Sequence, residues 1–435
     1  MTYSAPRGTK DIFGEEIRIR GHLENRAREI FTRWGYKEIS TPLFEDVNLF
    51  TRSIGETTDI VEKEMYVFKD KKGRTLALRP EGTAPIVRAA IENSLIRVGS
   101  ITKLFYSGPY YRYERPQAGR QREFYQIGVE FFGSASPYAD FEVISLAVEY
   151  FQNLGLKNFI LYLNNLGCPS CRPNYRKALT KFLQKGRKGL CTDCQRRMVK
   201  NPLRVLDCKT DSDKLKDLPL IKDYLCEPCR IHFQELLDLL TGEEIGYQID
   251  SHLVRGIDYY TRTIFEFKPK AFSVAQDTLR QSSGLGKTET FAAGGRYDSL
   301  VKELGGPNLP AVGWAIGVER LIERLSKEQL SEELKPKKLI YLAMVGEKVR
   351  REGLRIVQKL RHEGFFIETG LYEEKSLKAQ MREADSLKAK FVLIFGENEL
   401  NRKVVTFRNM LTKEQKEIDL ENLPSELNEY ISHSG

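Results

Sequence analysis

The stretch from Leu104 to Gly133, LFYSGPYYRYERPQAGRQREFYQIGVEFFG, constrains the fold more than any other part of the chain. It reads as two strands joined by a polar, basic turn, because each half alternates with the period of two that a pleated strand imposes. In the first half, Tyr110, Arg112 and Glu114 fall on one face and Phe105, Tyr111 and Tyr113 on the other. In the second, Tyr125, Ile127, Val129 and Phe131 make an apolar face, opposite Gln126, Gly128 and Glu130. One face is expected to be core and the other to carry chemistry.

Gly128 inside a strand weakens it and marks close approach by a ligand or another backbone. Arg115, Arg120 and Arg122 crowd the turn, and guanidinium forks match phosphate geometry. The hairpin resembles motif 2 of the class II aminoacyl-tRNA synthetases. That resemblance implies that Arg112 grips the α-phosphate of ATP. It also implies that Gln117, Arg120 and Arg122 in the loop meet the acceptor end of a tRNA.

At 435 residues the chain is too long for one ordinary core, so two or three domains are expected. No run of about 18 apolar residues exists to span a membrane, and the start, MTYSAPRGTKDIFGEE, lacks an apolar signal core. A cytoplasmic location is expected. The net charge of +9 is concentrated: 16 Lys and Arg stand against 7 Asp and Glu between Cys168 and Arg230. A basic segment of this kind fits a polyanionic partner.

An amphipathic helix is predicted from Glu15 to Trp34, with Ile17, Leu23, Ala27, Ile30 and Phe31 on its apolar stripe. A short strand from Tyr36 to Pro42 and a helical turn from Glu45 to Phe50 follow; they resemble motif 1, the homodimer element of the class II enzymes. Thr75 to Arg79 is a strand running into Arg79-Pro-Glu-Gly-Thr-Ala-Pro85, a stiff loop that presents Glu81 and Thr83. An acceptor carboxylate beside a hydroxyl suits an ammonium group. Asp140 to Asn153 reads as helix and Asn158 to Asn165 as strand. In the basic segment Tyr175, Leu179, Phe182 and Leu183 form a helical stripe.

Arg255-Gly-Ile-Asp-Tyr-Tyr260 is hard to explain as core. With Arg79-Pro-Glu-Gly-Thr83, the Arg112 to Gln117 hairpin and Gly313-Trp-Ala-Ile-Gly-Val-Glu-Arg-Leu321, it resembles the histidyl-tRNA synthetases over nearly the whole chain. The implied fold is α/β (α+β): a class II catalytic domain on an antiparallel sheet at 1–325, an inserted helical Cys-rich domain at about 168–240, a linker at 326–338 and an α/β anticodon-binding domain at 339–435. In that last part, strands are expected at Leu339 to Val345, Phe365 to Thr369, Phe391 to Phe395 and Val404 to Phe407. Helices are expected near Val349 to Arg361 and Lys375 to Asp385. Lys268 to Glu289 reads as an exposed polar loop or hairpin of unknown role.

The resemblance implies activation of histidine by ATP and transfer to the 3′ end of its tRNA, in a homodimer. Attack of a carboxylate on the α-phosphate requires preorganised cations. By resemblance, Arg112 and Arg255 contact the α-phosphate and Arg320 the far end of the triphosphate, with Mg²⁺ bridging the phosphates. Also by resemblance, Glu81, Gly82, Thr83, Gln126, Glu130, Tyr259 and Tyr260 hold histidine, with Glu130 accepting from the imidazole N–H. Two other readings are a synthetase-like regulatory subunit of ATP phosphoribosyltransferase and a non-catalytic zinc-ribbon RNA-binding protein. The first typically lacks the Arg255 motif and the terminal domain. The second leaves the Arg, Glu and Tyr constellation unexplained.

Cys168, Cys171, Cys191, Cys194, Cys208, Cys226 and Cys229 comprise three C-x-x-C pairs and one single residue. Two pairs could hold a structural Zn²⁺ as a tetrahedral Cys₄ site. Seven thiols are one short of two such sites, so the sequence leaves open which four bind, and reduced, partly buried cysteines are the alternative.

Overall fold

The computed structural model describes residues 3–56, 58–115, 120–206, 208, 210–215, 217–270, 290–325, 338–370 and 375–433. The chain divides into two compact units, Met1–Ser331 and Glu332–Gly435. Of the expected linker only Lys338 falls among the described residues, and the polar segment 271–289 lies outside them. No helix among the described residues is long and apolar enough to cross a membrane.

The first unit opens with α1 (Gly14–Arg33), which buries Ile19, Leu23, Ala27, Ile30 and Phe31. Its stripe starts at Ile19 rather than Ile17. β1 (Lys37–Glu38) is followed by β2 (Phe44–Asp46) and α2 (Val47–Ile54). The helical turn expected from Glu45 therefore begins as strand, and the reason is Asp46, whose carboxylate accepts from the Asn48 amide at 2.9 Å and caps the helix there. β3 (Val67–Lys69) and β4 (Thr75–Leu78) join β2 in a small sheet of order β2-β4-β3.

After α3 (Thr83–Glu92), β5 (Thr102–Tyr111) and β6 (Glu123–Phe132) form the hairpin, in register from Thr102 opposite Phe132 to Tyr111 opposite Glu123. α4 (Pro137–Asn153) and β7 (Phe159–Asn165) follow. The inserted lobe then carries α5 (Arg172–Lys185), α6 (Thr192–Lys200) and α7 (Glu227–Gly242). β8 (Tyr247–Ile249), β9 (Thr261–Pro269), β10 (Ala292–Arg296), β11 (Ala311–Gly317) and α8 (Val318–Arg324) complete the unit. The main sheet has the order β1-β5-β6-β11-β10-β9-β7-β8 and is antiparallel except at its two edges, where β1 runs parallel to β5 and β8 to β7.

One face of this sheet is sealed by aromatic packing with α1 and α4. Phe31 meets Phe105, Tyr150 and Trp314 with ring centroids 5.3–5.7 Å apart, and Phe151 meets Phe267 and Phe291 at 5.0 and 5.1 Å. Edge-to-face pairs of this kind add about 1 kcal/mol each beyond area burial. A wholly buried ion pair fastens β10 to α4: Arg296 donates to Asp140 Oδ2 at 2.6 Å and to the carbonyls of Ser134 and Ser136. The Arg296 pairing leaves neither charge unmatched, which makes burying them tolerable.

The second face, expected to carry chemistry, is also covered. Tyr106, Tyr110 and Glu130 on that face are themselves buried, because α3 and the Leu253–Tyr260 segment lie over them.

The second unit is a five-stranded sheet of order β13-β12-β14-β15-β16, made from β12 (Ile340–Val345), β13 (Ile367–Thr369), β14 (Phe391–Gly396), β15 (Val404–Asn409) and β16 (Gln415–Asp419). α9 (Arg350–His362), α10 (Leu377–Ser386) and α11 (Leu423–His433) belong to it, with a short helix at Glu397–Arg402. β12 is parallel to both β13 and β14, and its residues Ile340 to Ala343 are fully buried, as a central parallel strand requires. The sequence reading missed β16, whose Gln-Lys-Glu-Ile-Asp is polar except at Ile418, because an edge strand buries one side only.

Candidate active site

The site face of the main sheet has a floor of small residues. Directly opposed positions share a face, so the register sets Gln126 between Gly108 and Gly317, Gly128 beside Ala315 and Ala293, and Glu130 beside Gly313 and Gly295. A Cβ at Gly128 would lie 2.5 Å from the Tyr106 ring and 2.7 Å from the Trp314 carbonyl. The close approach foreseen at Gly128 is therefore made by Tyr106 and the neighbouring backbone. A Cβ at Gly313 would collide with Glu130.

Glu130 stands at one end of this floor, 1% exposed. Thr83 Oγ1 donates to its Oε1 at 2.7 Å, and the Tyr297 hydroxyl donates to Oε2. Burial pushes its carboxyl up to about 8, against the opposing pull of these hydrogen bonds. Thr83 is presented by the start of α3, where Glu81 accepts from the Thr83 and Ala84 amides at 2.7 and 2.8 Å. Glu81 thus closes the exposed donors of that helix end, and burial raises its pKa as well. Gly82 is required because a Cβ there would sit 2.6 Å from Tyr106 and 2.7 Å from the Tyr110 hydroxyl. Tyr259 packs on Tyr297 at 5.6 Å and on Tyr260 at 4.7 Å.

At the other end lies a chain of charge-assisted contacts. Arg255 donates to Glu266 Oε1, Thr290 Oγ1 donates to Glu266 Oε2 at 2.7 Å, and Arg320 Nη1 donates to the Thr290 carbonyl at 2.7 Å. Despite burial, Arg255, Thr290 and Lys268 together hold the Glu266 carboxyl below its ordinary range. The Arg255 guanidinium stands 5.7 Å from the Tyr260 ring centre, so Tyr260 bridges the two ends. Arg112 Nε donates to the Pro80 carbonyl at 2.8 Å, next to Glu81, and the Arg112 guanidinium lies 5.3 Å from the Phe124 ring centre. Of the residues assigned to the site, Gln126 Oε1 and Arg255 Nε are buried without a protein hydrogen-bond partner. Buried polar atoms left open in a cleft are what a polar ligand would satisfy.

The sequence model of the family described as "Histidyl-tRNA synthetase" matches residues 8–321, and that of "Anticodon binding domain" matches 339–430. The histidine–tRNA ligase of Thermodesulfovibrio yellowstonii is 47% identical over 426 residues, 97% of either chain. That of Thermosipho melanesiensis is 44% identical over 99% of both. The chain belongs to the histidyl-tRNA synthetase family. The crystal structure of the apo histidyl-tRNA synthetase of S. aureus superposes with a TM-score of 0.80 at 33% identity, covering 98% of this chain and 99% of that one.

Of the residues singled out from the sequence, Glu81, Gly82, Thr83, Glu130, Tyr259 and Tyr260 gather at one end of the floor, and Arg255 and Arg320 at the other. Asp258 instead ties the fold together, accepting from Asn201 Nδ2 at 2.9 Å while its amide donates to the Ile54 carbonyl. Gln117 lies outside the described residues. In the hairpin turn, Arg122 stacks 3.8 Å from the Tyr113 ring centre and Arg120 pairs with Glu114 at 3.4 Å. Sequence reasoning passed over Tyr106, Glu266, Thr290 and Tyr297. Tyr297 follows directly on Gly294-Gly-Arg296, and that glycine pair was the available signal.

The basic excess of the lobe is partly spent inside the protein. Arg196 and Lys200 pair with Glu62, and Arg197 and Arg204 with Asp59, so α6 is docked on the residues after α2 by opposite charge. The seven thiols, undivided in the sequence, fall into two groups: Cys168, Cys171, Cys226 and Cys229, and Cys191, Cys194 and Cys208 with Asp211.

Proposed function

We infer that the chain is a histidine–tRNA ligase, which activates histidine with ATP to histidyl-adenylate and pyrophosphate and then transfers histidine to the 3′ end of its tRNA. One observation carries the reading: a small-residue floor with a buried carboxyl pocket at one end and paired guanidinium groups at the other. Histidine's imidazole is a donor that Glu130 can accept, while Glu81, Thr83, Gln126 and the rings of Tyr259 and Tyr260 hold the rest of the amino acid. Glu130 so employed favours an N–H-bearing ring over an apolar side chain of the same size, because the apolar rival leaves the carboxyl unpaired.

Arg112 and Arg255 would flank the α-phosphate as negative charge accumulates on it, and Arg320 would take the distal phosphates. Fixed cations in a water-poor cleft stabilise that charge without reorganising. Glu266 orients the Arg255 fork, and Thr290 couples that fork to Arg320. Mg²⁺, which keeps several waters and binds largely through phosphate oxygens, would neutralise the departing pyrophosphate.

A homodimer belongs to the same reading. Leu43, Phe44, Val67 and Phe68 expose 41–51% of their surface on the small sheet, an apolar patch next to the stretch that resembles motif 1. The second unit would hold the anticodon stem, and the basic face of the lobe the acceptor end. A cytoplasmic site of action goes with these substrates. The group of Cys168, Cys171, Cys226 and Cys229 suits one structural Zn²⁺, with adjacent Sγ atoms 3.6, 3.7 and 3.9 Å apart, against ~3.8 Å for the edge of a tetrahedron with 2.3 Å Zn–S bonds. Such an ion would tie the chain leaving β7 to the start of α7.

ATP–pyrophosphate exchange with each amino acid in turn tests the activity. Exchange that depends on histidine alone is expected, and exchange indifferent to histidine would sink the reading. The regulatory-subunit alternative predicts no exchange at all.

A further inference from the structure

We propose a second metal site in the inserted lobe, a Cys₃Asp centre made by Cys191, Cys194, Cys208 and Asp211, so that the chain carries two zinc ions rather than one. The ligand atoms of these four side chains lie within 4.8 Å of one another. Cys191 Sγ and Cys208 Sγ are 3.8 Å apart, the edge of a zinc–thiolate tetrahedron. Cys208 Sγ and Asp211 Oδ2 are 3.9 Å apart, a few tenths of an ångström beyond the ~3.5 Å edge that Zn–S and Zn–O bonds would define. A disulfide would need about 2.0 Å and is not formed by any of these pairs.

Asp211 distinguishes this group from a patch of thiol core. Its carboxylate is fully buried, and burying an ionised carboxylate costs several kcal/mol, which the Lys214 ammonium on Oδ1 meets from one side only. Lys214 Nζ donates to Oδ1 at 3.0 Å, while Oδ2 accepts from the Cys191 amide at 2.8 Å and faces the thiols. A carboxylate that offers one oxygen to the metal and keeps the other on a hydrogen-bonding partner is the usual arrangement around a zinc ligand. Cys191 also caps α6, its Sγ accepting from the Cys194 amide at 3.5 Å, so a thiolate sits where the helix end favours negative charge.

The lobe's architecture supplies the need. Between α5 and α7 the described residues form α6 and short 3₁₀ turns, and short irregular segments of this kind are commonly stapled by metal. The first group would join the two ends of the insertion. The second would close its interior, holding the start of α6 against residues 208–211. α6 carries Arg196, Arg197 and Lys200, so this ion would set the ion pairs that dock the lobe on Asp59 and Glu62.

Metal analysis of the full chain purified without chelator should find two zinc ions per chain. Asp211→Ala should speed release of one of the two to a chelator by tenfold or more, and Cys168→Ser with Cys171→Ser should affect the other. Lys214→Ala removes the carboxylate's outer partner together with a bond to the Gly189 carbonyl; it should leave the fold and histidine-dependent exchange intact while weakening one site about tenfold, the scale for losing such a support. Limited proteolysis should then cut within 187–216 before the rest of the lobe. One zinc per chain in the unaltered protein overturns the proposal. So do two zinc ions whose release is indifferent to both Asp211→Ala and Lys214→Ala.

Discussion

Thr83 Oγ1 donates to Glu130 Oε1 at 2.7 Å, joining the first residue of α3 to the centre of the main sheet. The hydroxyl orients the acid and fills one lone pair of Oε1, while the Tyr297 hydroxyl holds Oε2. Thr83→Val keeps the shape and removes the donor. Leaving a buried acceptor unmet costs about 2 kcal/mol, so KM for histidine in the exchange assay should rise roughly thirtyfold. An unchanged KM would show that the pair serves packing only.

Glu130 also makes a pH signature. Burial pushes its folded carboxyl up to about 8, whereas a Glu in the unfolded chain has its ordinary value of 4.5. Between these values the folded state holds a proton that the unfolded state has lost. The contribution of Glu130 to stability is therefore greatest at low pH and declines as pH rises toward about 8. Glu130→Gln has no such proton, so its melting temperature relative to wild type should climb steadily from pH 5 to pH 8. A constant difference across that range would contradict the burial argument.

Arg255 faces Glu266 on one side and leaves its Nε without a protein partner on the other. Arg255→Ala should cost about 3 kcal/mol in the activation step, the scale for losing one charge-stabilising donor. Lys should restore little, since an ammonium cannot satisfy Glu266 and a phosphate with one fork. Single-turnover formation of adenylate measures this. Near-full activity in Arg255→Ala, or an unfolded variant, would return the residue to a structural role.

The second unit should be separable in function. A chain ending near residue 335 should retain histidine-dependent exchange and lose most tRNA charging, because the catalytic floor lies wholly within the first unit. Aminoacylation that survives the truncation would remove the C-terminal unit from tRNA recognition.

Much of this protein is written locally. Alternation in Leu104 to Gly133 determined the hairpin, and the stripe Tyr175, Leu179, Leu183 determined α5, because strand and helix periods are properties of neighbouring residues. The motif residues Glu81, Thr83, Glu130, Arg255 and Arg320 were likewise legible, since each lies in a short pattern with unusual chemistry. Only the tertiary structure decided what those residues meet. Tyr297 reaches Glu130 from 167 positions away, and Thr290 couples Arg320 to Glu266 through strands whose order in the sheet is not their order in sequence. The cysteines show the same limit most plainly. Three C-x-x-C pairs are visible in the sequence, but Cys168 meets Cys226 across 58 residues, and Asp211, a carboxylate with no motif of its own, stands beside Cys208 only because the lobe folds back on itself. Side-chain pairing across a fold depends on where the chain returns, and no local period encodes that return.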